Sequence, residues 1–423
     1  MQKKDINEFT TDSGFKVVHI KTKSKFSNLL MYTSIGSYCE SKSKKGMAHI
    51  LEHMMFKGTS HKTWEDINEI ACDNVLNHNA YTGDYCTGYT ADFRDDKLET
   101  AVELLTDQLL FSDFPETEID QELSVIEQEY NTHINNPDAN FYDFVKSTMF
   151  NTQINKPVIG DLECIKTAKR SDINKFISKY NKSNLIFVVT SRRKTSELKT
   201  IFNEYLKEEW MKPSLLEDKT PKINKQIISN YGCFNNSYSV DVDDSTQASV
   251  GMIFNCPPAH ERPIEFEIIM EILTGDTSSV LYKKLREEKG LCYYINGFDW
   301  LDNGHDAIYM IKGMTSPKDT TLFQTLIIEE LSGLKMNNGP SEKSFNTAKN
   351  SLLDYFDRKN ENNYKFMSEI AKFKVYNKDF GAILNYGEEL NKCTYESVLE
   401  YFNEFFSEDF FKTPYFSFVT YYH

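Results

Sequence analysis

Several features that assign a chain to a special class of protein are missing from this sequence. No stretch approaches the roughly 18 consecutive apolar residues of a membrane-spanning helix, so we expect no membrane span. The first residues contain no apolar segment of the kind found at the centre of a secretory signal. The net charge of −15 argues against a general nucleic-acid-binding protein, because such proteins usually carry an excess of basic residues. We therefore expect neither a membrane nor a nucleic acid as a partner.

The cysteines also lack a pattern. The chain has eight of them, and none forms the C-x-x-C pair that is typical of a zinc ribbon or a redox site. Compact disulfide scaffolds are short and dense in cysteine, whereas these cysteines are scattered over 423 residues. Reduced thiols fit this distribution best, and the sequence therefore predicts a cytoplasmic protein.

The length and the order of the predicted elements indicate a duplicated fold. A chain of 423 residues exceeds one ordinary hydrophobic core, which favours two domains. Both halves show a similar order of strands and amphipathic helices, so we predict an α+β fold of two similar α/β sandwich domains. The predicted first domain spans 1–210 and the second spans 241–423. Residues 211–240 have no clear periodicity and are predicted to be a linker.

The segment GMAHILEHMMFKG is the most distinctive part of the sequence. It predicts a helix that ends near Gly58. On this helix His53 lies about 40° from His49, and Glu52 lies about 60° to the other side of His49. Two imidazoles one turn apart can bind zinc, and a neighbouring carboxylate can reach a water on the metal. Because the chain has nine histidines, such a pair also arises by chance, and an ordinary helix stays a competing interpretation.

The acidic helix predicted after Pro115 offers a third ligand. Catalytic zinc sites typically use three protein ligands and leave the fourth position to water. Glu122 and Glu129 are seven residues apart and share a face within about 20°, whereas Glu127 points away from Glu129. One of the aligned pair could bind the metal while the other supports the site through hydrogen bonds. A solvated acidic face gives the same pattern and is the competing interpretation.

In combination, these motifs resemble the pitrilysin-type zinc metallopeptidases, whose inverted signature is H-x-x-E-H. The segment GMAHILEHMMFKGT is similar to the signature helix of that family, and EIDQELSVIEQEY is similar to its third-ligand helix. The resemblance implies a processing-peptidase-like metallohydrolase fold in which His49, His53 and Glu129 bind one zinc ion per chain. It further implies that Glu52 is the general base and that Glu122 supports the ligands from outside the ligand set.

The resemblance extends to the residues that would bind the substrate. HNAYTGD is similar to a family strand, which implies that Asn79 and Ala80 lie on an edge strand that pairs with an extended peptide. His78 beside them is predicted to line the cleft instead of binding the metal. SSVLYKKLREEKGLCYYI resembles the family's Arg/Tyr motif. This motif implies that Arg286 binds the substrate and that Tyr293 helps to stabilise the oxyanion.

The sequence therefore predicts a zinc metalloendopeptidase that acts on peptides or unfolded leader segments. The length of the chain is similar to that of the short branch of the family, which includes the mitochondrial processing peptidases and works as a dimer with an enclosed chamber. The presence of Arg286 and Tyr293 in this chain favours a homodimer. Two alternatives stay open, a non-catalytic scaffold of the same fold and one half of a heterodimeric peptidase.

Overall fold

The computed structural model describes residues 5–150, 153–219, 237–240, 245–361, 363–412 and 416–423. The chain divides into two compact units, each with its own β-sheet and packed helices, and this confirms the predicted α+β class. The first unit comprises Met1–His133, Lys156–Lys222 and Asn362–Leu384, and the second comprises Ile134–Asn155, Ile223–Glu361 and Asn385–His423. The domain boundaries at 210 and 241 stay a prediction, because residues 220–236 of the predicted linker lie outside the described residues.

Both halves of the described chain contain strands and helices. The strands are β1 (Ile6–Thr10), β2 (Lys16–Lys21), β3 (Phe26–Thr33), β4 (Val75–Thr82), β5 (Thr87–Arg94), β6 (Leu185–Ser191), β7 (Ser237–Val240), β8 (Ala248–Cys256), β9 (Ile295–Asp302), β10 (Ala307–Thr315) and β11 (Phe416–Tyr422). The helices of the first half are α1 (Met47–Met54), α2 (Trp64–Asn74), α3 (Leu98–Phe111), α4 (Glu116–Ile134), α5 (Pro137–Met149), α6 (Leu162–Lys166), α7 (Arg170–Ile177), α8 (Thr195–Tyr205) and α9 (Pro213–Leu216). Those of the second half are α10 (Ile264–Thr274), α11 (Val280–Tyr282), α12 (Thr320–Met336), α13 (Glu342–Glu361), α14 (Asn363–Val375), α15 (Gly381–Lys392), α16 (Tyr395–Phe405) and α17 (Glu408–Lys412).

The two sheets repeat one strand order. Within the described residues, the sheet of the first unit has six strands in the order β1–β2–β6–β3–β5–β4, and that of the second has five in the order β7–β11–β8–β10–β9. Among these described strands, the only parallel pair of each sheet joins corresponding strands, β2 with β6 and β7 with β11. The run β6–β3–β5–β4 therefore corresponds to β11–β8–β10–β9. This correspondence supports the duplicated architecture, with β4 and β9 as equivalent edge strands.

Each unit has a separate hydrophobic core. In the first, every residue of the apolar strand β6 is buried, and α3 contributes Leu105 and Leu109. In the second, α10 is apolar on most sides, and its Phe266 packs edge-on against the ring of Tyr309 on β10. Helix α14 packs against β6 and β3, although it follows them by about 170 residues or more in the sequence and belongs to the first unit. Part of the sheet of the first unit is therefore covered by a segment from the last quarter of the chain.

The helix that carries the histidine motif is shorter than predicted. Helix α1 ends at Met54, four residues before the predicted end at Gly58. The chain turns at Gly58, whose φ of 133° is readily adopted only by glycine. Helix α2 begins after Thr63, because the Thr63 side chain and that of Asp66 form a reciprocal capping box. The described helices include none that is long and apolar enough to cross a membrane.

Candidate metal centre

The amphipathic pattern of α1 positions the predicted ligands. Its buried apolar residues recur at the spacing of one helix face and include Met47, Ile50, Leu51 and Met54. This face packs into the core of the first unit, which directs His49, Glu52 and His53 to the opposite side. The side chains of His49 and His53 keep 17% and 16% of their surface exposed, so a metal or water can reach them.

Three side chains converge as the sequence predicts. The Nε2 atoms of His49 and His53 are 3.2 Å apart. Glu129 from α4 brings its Oε2 atom to 3.6 Å from His49 Nε2 and to 3.5 Å from His53 Nε2. In a tetrahedral site with zinc–ligand distances of about 2.0–2.1 Å, ligand atoms lie about 3.3 Å apart. The three donor atoms therefore fit three corners of such a site, and their chemistry suits zinc.

Glu122 connects α4 to α1 next to this cluster. Its Oε1 atom lies 2.9 Å from His53 Nδ1, and its Oε2 atom lies 2.5 Å from Lys57 Nζ. Burial alone would raise the pKa of Glu122, but the contacts with His53 and Lys57 lower it. Burial likewise would lower the pKa of His53, but Glu122 and Glu129 raise it. With the His53 proton on Nδ1, the lone pair of Nε2 faces the cluster and is available to a metal.

Burial has the largest effect on the protonation of His49. Burial lowers its pKa to about 4, and the nearby His53 and His133 act in the same direction. A neutral imidazole is the form that binds a metal, so His49 is a competent ligand at neutral pH. Its Nδ1 atom is buried and has no hydrogen-bond partner among the described residues. His49 therefore lacks the carboxylate support that His53 has.

Glu52 is held beside the cluster by a residue that the sequence analysis missed. Thr82, the last residue of β4, donates a hydrogen bond of 2.5 Å from Oγ1 to Glu52 Oε2. Burial raises the pKa of Glu52, and Thr82 partly opposes this shift. A carboxylate with a raised pKa is a stronger base near neutral pH. Thr82 lies within the HNAYTGD segment, but only the fold reveals that this segment passes Glu52.

The residues predicted to bind substrate on β4 lie on the edge of the six-stranded sheet. Asn79 and Ala80 pair with Thr90 and Tyr89 of β5, and the Asn79 side chain accepts a hydrogen bond from Ala80 N. His78 is separate from the ligand cluster: its Nε2 atom contacts Gln108, and its ring packs against an aromatic side chain. Burial lowers the pKa of His78 to about 4, so it is neutral at physiological pH.

Arg286 and Tyr293 lie together in the second unit. Arg286 belongs to a π-helical segment, Lys283–Glu288, that continues α11. Its guanidinium donates to the Tyr293 carbonyl oxygen and lies 4.6 Å from the centre of the Tyr293 ring. Strand β9 begins at Ile295, so Tyr293 lies in the segment before it. Tyr293 is 79% exposed, so its hydroxyl is accessible.

Comparison with known proteins assigns both halves of the chain to one family. A sequence model of insulinase (peptidase family M16) matches residues 16–162, which include the three predicted ligands and Glu52. A second model, the peptidase M16 inactive domain, matches residues 167–352. The word inactive in that description agrees with the second half, where the apolar IIMEI of α10 takes the place of HILEH.

Individual relatives carry peptidase names. The chain is 25% identical over 415 residues to an uncharacterized zinc protease, YmxG, of Bacillus subtilis, covering 96% of this chain and 97% of that protein. It is 31% identical over 182 residues to the human mitochondrial-processing peptidase subunit beta, covering 43% of this chain and 37% of that protein. The name of the Bacillus subtilis relative supports zinc as the metal.

Solved structures show the same fold. A protease from Helicobacter pylori superposes with a TM-score of 0.86 at 19% identity and covers 99% of both chains. A putative M16-like peptidase from Alicyclobacillus acidocaldarius gives a TM-score of 0.80 at 17% identity, over 100% of this chain and 99% of the other. At these identities the likeness concerns architecture alone.

The contact between Glu122 and His53 predicts a measurable effect on metal affinity. Glu122→Gln should lower the zinc affinity about tenfold to hundredfold, because it removes the charge that holds the His53 proton on Nδ1. Competition with a chromophoric chelator measures this affinity. The matched control is Glu127→Gln on the same helix, since Glu127 pairs with Lys166 away from the cluster. Equal affinities of the two variants would show that Glu122 does not support the ligands.

Proposed function

The chain belongs to the M16 family of peptidases, and we propose that it is a zinc-dependent endopeptidase that hydrolyses peptides or unfolded leader segments. The observation that carries the proposal is the convergence of His49, His53 and Glu129 beside the half-buried carboxylate of Glu52. A ligand triad with an adjacent base is the set of groups that metal-assisted peptide hydrolysis needs. The zinc protease names of relatives support the same activity.

In the proposed mechanism, His49, His53 and Glu129 hold one zinc ion per chain. When bound, zinc lowers the pKa of its water toward about 7 and polarises the carbonyl of the scissile bond. Glu52 accepts a proton from the attacking water and delivers it to the departing amine, so one carboxylate acts as base and then as acid. Thr82 keeps Glu52 in position through its hydrogen bond.

The substrate is bound through its backbone in this proposal. An extended peptide adds to the edge of β4, where Asn79 and Ala80 lie, and the main-chain hydrogen bonds make recognition tolerant of sequence. Arg286 binds a substrate carbonyl, and the accessible hydroxyl of Tyr293 helps to stabilise the oxyanion. In this proposal the metal ligands and the base belong to the first half of the chain, whereas Arg286 and Tyr293 belong to the second half.

The experiment that tests the activity separates the base from the metal. Glu52→Gln removes the base but keeps the shape of the side chain, so we expect one zinc per chain by elemental analysis. Cleavage of a quenched fluorescent peptide should fall by about 10²-fold to 10⁴-fold, the usual contribution of general acid–base catalysis. Cleavage at the wild-type rate by purified Glu52→Gln protein would overturn the assignment.

His53→Ala provides the reciprocal control. It removes a ligand, so both the bound zinc and the cleavage should be lost. Zinc retained at one per chain in this variant would show that the ligand set is wrong. A chelator should abolish wild-type cleavage, and added zinc should restore it.

We further propose that two copies of this chain form a chamber around the substrate and that the protein acts in the cytoplasm. The presence of the Arg286 and Tyr293 pair in the chain that also carries the ligand cluster supports a homodimer. The described cysteines are all free, as expected of a reducing compartment. The alternative of a heterodimeric half is supported by the word subunit in the name of the mitochondrial relatives.

Light scattering tests the assembly. If the purified protein is active without a second, different chain, its mass in solution should be about twice the 49.2 kDa of one chain. An active monomer would exclude the two-chain chamber. A protein that cleaves peptide only after addition of a second, different chain would favour the heterodimer, and a folded protein with no zinc and no cleavage would favour the non-catalytic scaffold.

A further inference from the structure

The metal-binding helix α1 begins without a cap of its own. Its N-cap residue is Gly46, which has a φ of 92° and no side chain to accept a hydrogen bond. The first amide groups of a helix have no partner within the helix and need an acceptor from elsewhere. Glu40 supplies it, because its Oε2 accepts from Gly46 N at 3.0 Å and its Oε1 accepts from Ala48 N at 2.9 Å.

The Glu40 carboxylate is unusual in its degree of burial. Only 4% of the residue is exposed, and burial raises its pKa to about 7, although the hydrogen bonds from Ala48 and Gly46 and the charge of Lys45 act against this shift. A buried carboxylate is costly unless its oxygens are bound. Both oxygens of Glu40 accept hydrogen bonds from amides at the start of α1, and these bonds offset the cost of burying the carboxylate. None of the catalytic steps described above uses Glu40.

The backbone confines the start of α1 from the other side. A Cβ atom on Gly160 would lie 2.5 Å from the Cα and N atoms of Gly46, which is closer than real atoms approach. A Cβ atom on Gly46 would lie 2.7 Å from the carbonyl oxygen of Ile159. The first turn is therefore held between the Glu40 carboxylate and the 159–160 backbone.

On the basis of the proposed zinc site, we propose that Glu40 is a positioning residue that fixes the first turn of α1 and thereby sets the metal affinity of His49 and His53. Ala48, whose amide Glu40 binds, immediately precedes the ligand His49. A helix of eight residues is not stable by itself, so its first turn depends on such external contacts. Ligand geometry tolerates only about 0.5 Å of displacement, and a loosened first turn moves His49 directly.

The test compares Glu40→Gln with a matched control, Asp95→Asn. Asp95 is also a carboxylate with 4% exposure in the first unit. It accepts hydrogen bonds from Ser27 Oγ at 2.8 Å, Ser191 Oγ at 2.6 Å and Arg192 N at 3.1 Å, and it lies on other elements. Both variants replace a buried carboxyl group by an amide, but only Glu40→Gln alters the start of α1.

We expect Glu40→Gln to lower the zinc affinity about tenfold and to shift the visible absorption of the cobalt-substituted protein. Asp95→Asn should leave the zinc affinity within twofold of the wild type and the cobalt spectrum unchanged. This should hold even where chemical denaturation of the two zinc-free variants shows a similar loss of stability. An unchanged affinity and cobalt spectrum in Glu40→Gln would overturn the inference. An equal loss of affinity in Asp95→Asn would also overturn it, because general destabilisation would then explain the effect.

A second measurement uses the unaltered protein and decides the matter if Glu40→Gln does not fold. Since coupling between two sites is reciprocal, zinc binding should slow hydrogen exchange of the Gly46 and Ala48 amides more than that of the Arg192 amide. Equal slowing of the Gly46, Ala48 and Arg192 amides would overturn this inference but not the proposed function. A wild-type protein that binds no stoichiometric zinc would instead overturn the proposed function from which the inference starts.

Discussion

The hydrogen bond between His53 Nδ1 and Glu122 Oε1 is the contact on which the arrangement of the site depends. It connects α1 to α4 and sets the position of one helix along the other. Glu129 lies seven residues beyond Glu122 on the same face, about 10.5 Å along the helix axis. With Glu122 fixed on His53, the carboxylate of Glu129 reaches the Nε2 atoms of both histidines. The same bond selects the His53 tautomer, so one contact determines both the geometry and the chemistry of the cluster.

The predictable part of the site follows from helix periodicity. The spacing of His49 and His53, and that of Glu122 and Glu129, fixes which side chains share a face, and this is a local property of any α-helix. Contacts made by Thr82, Lys57 and Glu40 were not predicted, because they depend on where a strand end, a turn and a preceding loop return in space. Residues at a strand end, in a turn or in a loop carry no periodic signal. Position in the fold alone reveals its partner.

The fold shows the same division between local and tertiary information. The alternation of strands and helices in both halves predicted two similar domains, and the repeated strand order agrees with this. The end of α1 was misplaced by four residues, because the helix stops at Met54 while the apolar residues continue toward the turn at Gly58. In the second half the apolar α10 fills its core with Ile268, Ile269 and Ile272, where α1 presents imidazoles. One architecture thus carries a reactive helix in one copy and a purely structural helix in the other.

Helix α14 has a consequence for the synthesis of this protein. It packs against β3 and β6, two strands of the sheet that also carries β4, yet it occupies Asn363–Val375. During synthesis on the ribosome, most of the polypeptide must be translated before α14 can cover its face of the first sheet. During that interval the nascent chain exposes surface that favours aggregation or capture by chaperones. Native packing of the first unit is therefore a late event in biosynthesis, because it needs a helix from the last quarter of the chain.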